Sequence, residues 1–213
     1  ALTNSLAYAF GCLLISCILG FFVAHSIHAF EKQKRYKLAQ MLDVMSMLPL
    51  AVSGVMVGIG VLLGVLKIWP ALFSFYGLPM LPHAMLTTPF VIRILLPAMR
   101  EIDSDYEAMG MVLGYNSTQR FSKIKIPLLK PQIVVASAVS MAFSLGEFGA
   151  SWVVLRSGAW DTLPILVDQL MSRPKYFELV TPTAMAAASV LMFTTFLLFV
   201  IAERFRTHRG GGF

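Results

Sequence analysis

The chain has 213 residues, of which 57% are hydrophobic and 13% charged, and its mean hydropathy is +0.75. A soluble domain carries about 25% charged residues, and in water so apolar a chain would expose more apolar surface than a monomer tolerates. The net charge of +6 does not point to nucleic acid, because the basic residues sit directly beside long apolar blocks.

The first block, Ala1–Phe30, contains no Asp, Glu, Lys or Arg. A bilayer core needs roughly 20 apolar residues per helix, so a span is predicted over about Leu2–Ala29. Cys12 and Cys17, five apart, fall on different helix faces and read as small packing residues, not a disulfide. His25 and His28 read as interfacial residues rather than ligands. Ala1 is no initiator Met, and the block is too long for a signal-peptide core. At least one spanning helix upstream is therefore expected.

The second span is predicted over Asp43–Leu66. Pro49 invites a kink, and Gly54, Gly58, Gly60 and Gly64 permit close helix approach. Two readings stay open here: tight packing alone, or a bent helix lining a path. Trp69–Pro82 reads as a loop or short interfacial helix. The third span, Met80–Met99, carries Arg93 and Pro97. The fourth, Ile133–Leu155, holds one charge, Glu147, and the fifth is Leu179–Ala202. Barrel strands would alternate apolar and polar residues, whereas these blocks are apolar all round. The chain ends in a solvated tail after Thr207.

Lysine and arginine are unevenly shared between the loops. Lys32, Lys34, Arg35 and Lys37 follow span one; Arg100, Arg120, Lys123, Lys125 and Lys130 lie between spans three and four; Arg204, Arg206 and Arg209 follow span five. The opposite loops hold only Lys67, Arg156, Arg173 and Lys175. The cytoplasmic side takes the basic excess, which predicts an external N-terminus and a cytoplasmic C-terminus.

The stretch Arg100–Lys130 reads as helix, turn, helix. Asp103 or Ser104 suits the first N-cap, and Asp103, Asp105 and Glu107 lie at the positive end of the dipole. Gly114 suits the left-handed position that ends a helix. Asn116 or Ser117 caps the second helix, and Pro127 is expected to stop it before the next span. Leu113, Phe121 and Ile124 are predicted to give this knob an apolar docking side. No phosphate-binding glycine loop, metal-spaced cluster or nucleophile elbow occurs, so no residue is assigned a catalytic or metal role. Any ATP-linked role must be to receive work done elsewhere.

The knob resembles the coupling loop of binding-protein-dependent ATP-binding-cassette importer permeases. Leu113-Gly114 and Ile126-Pro127-Leu128-Leu129 match that pattern, and Gly114 and Pro127 have its spacing. The family's glutamate falls at Ala108, one position after Glu107. Leu48-Pro49-Leu50, Thr88-Pro89-Phe90 and Ser144-Leu145-Gly146-Glu147-Phe148-Gly149-Ala150 extend the likeness. The last run, with Thr162-Leu163-Pro164, is similar to the thiamine, iron(III) and molybdate branch, some of whose members fuse two permease halves.

The resemblance implies an all-α membrane protein of the type I importer (MetI-like) permease fold, with five spans in one domain over residues 1–213 and a cytoplasmic coupling loop over residues 100–130. It implies a multi-pass protein of the inner membrane that is not itself an enzyme. The implied partners are a second permease half, two ATPase subunits holding ATP and Mg, and an extracytoplasmic binding protein. Thiamine or iron(III) is the expected substrate, with a molybdate-type anion as the alternative. Glu107, Ala108, Leu113, Gly114, Phe121, Ile124 and Pro127 would couple to the ATPases. Pro49, Gly54, Arg93 and Glu147 would line or gate the path. Glu147 has two readings: contact with a cationic substrate, or a hydrogen bond that fixes a helix break between Gly146 and Gly149. Without ATP the chain would be a secondary transporter, a channel or a membrane anchor. A secondary transporter should show coupling-ion residues within its spans or an internal repeat, and only Glu147 answers to that.

Overall fold

A computed structural model describes residues 1–102, 105–155, 160–173 and 179–207, without the side chains of residues 105, 107, 108, 202 and 205–207. The described residues are helical, with no strand among them. In hydrocarbon every backbone N–H and C=O must find its partner inside the protein, which a helix achieves within one segment.

Helix α1 (Leu2–Lys32) matches the first predicted span and runs one turn beyond it. Helix α4 (Met80–Glu101) matches the third, with Pro89 and Pro97 inside it. Helix α10 (Val180–Thr207) matches the fifth. Along α4 the apolar face of Val91, Ile92, Leu95, Leu96 and Met99 is almost fully buried. It packs with Ala24 and Ile27 of α1 and with Leu129 and Ala136 of the fourth span. Small residues let these helices approach: a Cβ on Gly20 would meet Val91 at 2.6 Å.

Hydroxyl and thiol pairs cross the same seam. Ser16 Oγ donates to Ser140 Oγ at 3.1 Å, Cys12 Sγ lies 3.2 Å from Thr87 Oγ1, and Cys17 Sγ lies 3.4 Å from Ser137 Oγ. The two cysteines are free thiols that pack as expected, each also with a polar contact.

Two spans depart from the prediction. The second is not one kinked helix. Helix α2 (Tyr36–Met47) passes through a 3₁₀ turn, Leu48–Ala51, and helix α3 (Gly54–Ile68) leaves at 104° to it. Pro49 sits in the turn, Val52 is extended, and Ser53 caps α3 by accepting from Met56 N. At 1.5 Å per residue the 15 residues of α3 reach only about 22 Å, short of a bilayer core of about 30 Å.

The helix that carries the fourth span begins and ends earlier than the predicted span. Helix α6 (Ser117–Arg120), a π turn (Phe121–Lys125) and helix α7 (Ile126–Gly146) form one continuous 30-residue rod. Pro127 does not stop the second knob helix. It sits in the first turn of α7, directly after the π turn closes with Ile126 N donating to Phe121 O. The wider turn shifts the hydrogen-bond register just before a residue with no N–H to give. The rod breaks at Glu147, and the short helices α8 (Gly149–Val154) and α9 (Leu163–Met171) follow. Among the described residues, four helices are thus long and apolar enough to span, and the bent α2–α3 pair makes a fifth crossing if counted as one.

The loops after α1 and α4, assigned to one side, share an end of the bundle, and the N-terminus shares the other with the loops after α3 and α8. At one end Arg100 forms a two-pronged pair with Glu31, with Nε donating at 3.0 Å. At the other, Tyr76 Oη donates to Asn4 Oδ1 at 3.0 Å, Asn4 Nδ2 donates to Asp161 O at 3.2 Å, and Leu163 N donates to Ser5 Oγ at 2.8 Å.

Candidate functional site

The knob lies at the Glu31–Arg100 end. Helix α5 (Asp105–Val112) stops in a two-bond termination: Tyr115 N donates to Gly110 O and Gly114 N to Met111 O, both at 3.0 Å. That closure needs a left-handed residue at Gly114, whose φ is +71°. Asn116 then caps α6 reciprocally. Its Oδ1 accepts from Gln119 N at 2.8 Å, and its N donates to Gln119 Oε1 at 3.0 Å. Lys123 Nζ lies 5.1 Å from the centre of the Tyr115 ring, within cation–π range. The bend is therefore held on one side by backbone hydrogen bonds and on the other by side-chain bonds to the backbone, both of which the local sequence specifies.

The predicted docking residues do not share one face. Leu113 is exposed, as are Met109, Met111 and Val112 of α5. Phe121 turns inward instead and meets the Phe21 and His25 rings of α1 edge-on at about 6 Å. Ile124 and the stem of Arg120 lie over Gly110, where a Cβ would meet them at under 3 Å. Between α1, α5 and α6 runs a cavity of about 330 Å³ lined by His25, Tyr106, Arg120 and Phe121 among others. Glu107 and Ala108 lie in α5, but their side chains are outside the described residues, as are Asp103 and Ser104.

The second cluster joins the two helix breaks. Glu147 Oε1 accepts from Ala150 N at 2.8 Å, so the carboxylate caps α8 three residues ahead in the manner of an N-cap side chain. The same oxygen would lie 2.5 Å from a Cβ on Gly54. One turn on, a Cβ on Gly58 would lie 3.0 Å from the Ala150 backbone, and one on Gly149 would meet Val55 at 3.0 Å. Gly54 and Gly58, four apart on one face of α3, let it lie directly on α8. Gly60 and Gly64 face open space. Of the predicted path residues, Gly54 and Glu147 are thus brought together beside the turn containing Pro49. Arg93 instead pairs with Asp43 of α2, its Nη2 3.5 Å from Oδ2, and its side chain is 58% exposed.

His83 was not among the predicted residues. It is wholly buried, with Nδ1 2.7 Å from Ser144 Oγ and Nε2 2.7 Å from Ser151 Oγ. The available signal was its place as the one histidine in the apolar stretch Ile68–Ile92, which holds no Asp, Glu, Lys or Arg.

Comparison with known proteins places these features in context. The profile of the family described as "Binding-protein-dependent transport system inner membrane component" matches residues 6–207. The sulfate transport system permease protein CysT of Escherichia coli (strain K12) is 30% identical over 201 residues, covering 91% of this chain and 71% of that protein. The putative 2-aminoethylphosphonate transport system permease protein PhnV of Salmonella paratyphi A is 27% identical over 210 residues, covering 99% and 76%. A probable sulfate transport system permease protein cysT of Prototheca wickerhamii is 27% identical, covering 92% and 79%. These relatives are named for sulfate and 2-aminoethylphosphonate, not for thiamine or iron(III), so the expected branch does not carry over.

Proposed function

The chain belongs to the family of inner membrane components of binding-protein-dependent transport systems, and from that premise we propose that its knob, residues 100–130, couples it to cytoplasmic ATPase subunits while it imports an oxyanion. As a permease subunit in the inner membrane it is not itself an enzyme. The observation that carries the coupling role is the doubly fixed bend, with Gly114 at φ +71° and the reciprocal Asn116–Gln119 cap. A loop that transmits force must keep its shape under load, and this one is braced on each side of the turn. The exposed apolar residues Met109, Val112 and Leu113 form the docking face in this reading. The partners are a second permease half, fused or separate, two ATPase subunits and an extracytoplasmic binding protein.

The oxyanion reading draws on the sulfate and 2-aminoethylphosphonate relatives. Two side chains favour it over a cationic substrate. Glu147, which suggested a cation, has its carboxylate engaged by Ala150 N and set against Gly54. Arg93, though paired with Asp43 at 3.5 Å, keeps a largely exposed guanidinium within a span, where an ionisable group is by default functional.

Reconstitution with the ATPases and the binding protein tests both parts. ATP hydrolysis should rise when the binding protein is loaded with sulfate or a phosphonate. Stimulation only by a thiamine- or iron-loaded protein would overturn the substrate reading. Failure of any ATPase to co-purify would overturn the coupling role.

A further inference from the structure

We propose that His83 is a positioning residue that locks the helix break at Glu147 to α4, so that α4 and the α6–α7 rod, which both lead from the knob, move α8 together. The proposal rests on the importer reading above. Ser144 lies in the last turn of α7 and Ser151 in α8, on opposite sides of the break. A single imidazole holds both, through contacts of 2.7 Å. Neutral imidazole has one donor nitrogen and one acceptor nitrogen. One serine therefore accepts from the ring and the other donates to it, and all three groups are satisfied without a buried charge.

A break of two residues would otherwise leave α8 free to swing on Glu147 and Phe148. Three contacts prevent this. Gly54 and Gly58 seat α8 against α3, the Glu147 carboxylate caps it, and His83 ties it to α4. One turn along α4, Thr87 Oγ1 donates to His83 O at 3.0 Å and also lies against Cys12 Sγ of α1. The α4 backbone at the clamp is thereby anchored to the bundle core. From His83, α4 runs to Glu101, about 27 Å at the helical rise, and the knob follows. Force applied at the knob reaches the α7–α8 break along the α6–α7 rod and along α4, whose far end holds both sides of that break. Losing the ring would leave two buried hydroxyls without their partner, which is costlier than losing a solvated hydrogen bond.

The test uses the assembled transporter in proteoliposomes, with variants His83→Ala, His83→Gln and the double variant Ser144→Ala/Ser151→Ala. His83→Ala should retain its ATPase subunits and its half-saturating concentration of binding protein. Transport per ATP hydrolysed should fall about tenfold or more, the size expected from one buried polar contact. His83→Gln, which keeps a donor and an acceptor, should recover most of it, and the serine double variant should resemble His83→Ala. A second readout places spin labels at Leu81→Cys and Trp152→Cys in a background lacking Cys12 and Cys17. The label separation should be narrow where His83 is kept and broad in His83→Ala.

Unchanged coupling in both His83→Ala and the serine double variant would overturn the proposal. So would a narrow label separation in His83→Ala, or a loss confined to assembly with normal coupling in the complexes that remain. If the unaltered chain binds no ATPase, the importer reading fails instead, and the label separation still reports on the clamp.

Discussion

Gly54 and Glu147 face each other across two broken helices, so closely that a Cβ on the glycine would lie 2.5 Å from the carboxylate oxygen that caps α8. The contact makes the role of Glu147 separable by substitution. Glu147→Gln keeps an oxygen for Ala150 N and should retain transport within about threefold. Glu147→Ala removes the cap, worth about 1 kcal/mol, and should lower both stability and transport. Gly54→Ala should push the carboxylate off Ala150 N and behave like Glu147→Ala. Melting temperature and vesicle uptake check all three. Loss of uptake in Glu147→Gln at normal stability would show that the charge itself is needed.

The four glycines of α3 should divide into two classes. Gly58 has its missing Cβ 3.0 Å from the Ala150 backbone, which cannot move aside as a flexible side chain would. Gly58→Leu should overpack this contact and cost about 1–3 kcal/mol. Among the described residues, and their own helix backbone aside, Gly60 and Gly64 have nothing within 4 Å of a Cβ. Gly60→Ala and Gly64→Ala should leave the chain as stable or raise stability by about 0.5–1 kcal/mol, because alanine suits a helix interior better. Thermal unfolding of the detergent-solubilised chain measures the contrast. Equal destabilisation at all four positions would contradict the packing of α3 on α8.

Much of this fold was legible in the chain because lipid imposes a simple rule. Long uncharged blocks become helices, and α1, α4 and α10 lie where their blocks predict. Boundaries failed where backbone geometry outweighed composition. Basic residues up to Lys130 suggested a late start for the fourth span, yet the rod begins at Ser117 because the π turn accommodates Pro127. Pro49 signalled a bend but not its size, which depends on Val52 going extended and Ser53 starting a new helix. In the knob, Gly114 and Asn116 announced their roles through local turn chemistry. The inward turn of Phe121 depends on Phe21 and His25, about a hundred residues away, and no local pattern encodes it. His83 stood out in its apolar stretch, but its role was hidden for the same reason, since its two serine partners lie more than sixty residues along the chain.

Topology should follow the ends of the bundle. Lys34 and Gln119 belong to the end marked by the Glu31–Arg100 pair, and Phe75 to the end marked by Asn4 and Tyr76. The basic excess predicts that the first end is cytoplasmic. Single-cysteine variants at Lys34 and Gln119, in a background lacking Cys12 and Cys17, should resist an impermeant thiol reagent in intact cells and react after permeabilisation. A cysteine at Phe75, which is exposed, should react in intact cells. External reaction at Gln119 would remove the coupling role of the knob.

Gly114 offers the sharpest test of force transfer. Its φ of +71° completes the termination of α5, and among the described residues, its chain neighbours aside, no atom lies within 4 Å of where a Cβ would stand. A substitution there meets no steric wall from the rest of the protein, so its effect is purely that of backbone conformation. Left-handed geometry costs an L-residue roughly 1–2 kcal/mol, more when the side chain is branched at Cβ, and less for asparagine. Gly114→Asn should therefore couple nearly as well as the unaltered chain. Gly114→Val should abandon the left-handed bend, breaking the bonds from Tyr115 N to Gly110 O and from Gly114 N to Met111 O. The segment from Ser117 onward is one rod with α7, so α5 must be the part that swings, carrying Met109, Val112 and Leu113 away from their docking position. Membrane insertion should be normal, ATPase co-purification weakened and uptake lost. Full ATPase binding and uptake in Gly114→Val would show that the knob is not the element that receives the ATPases' work.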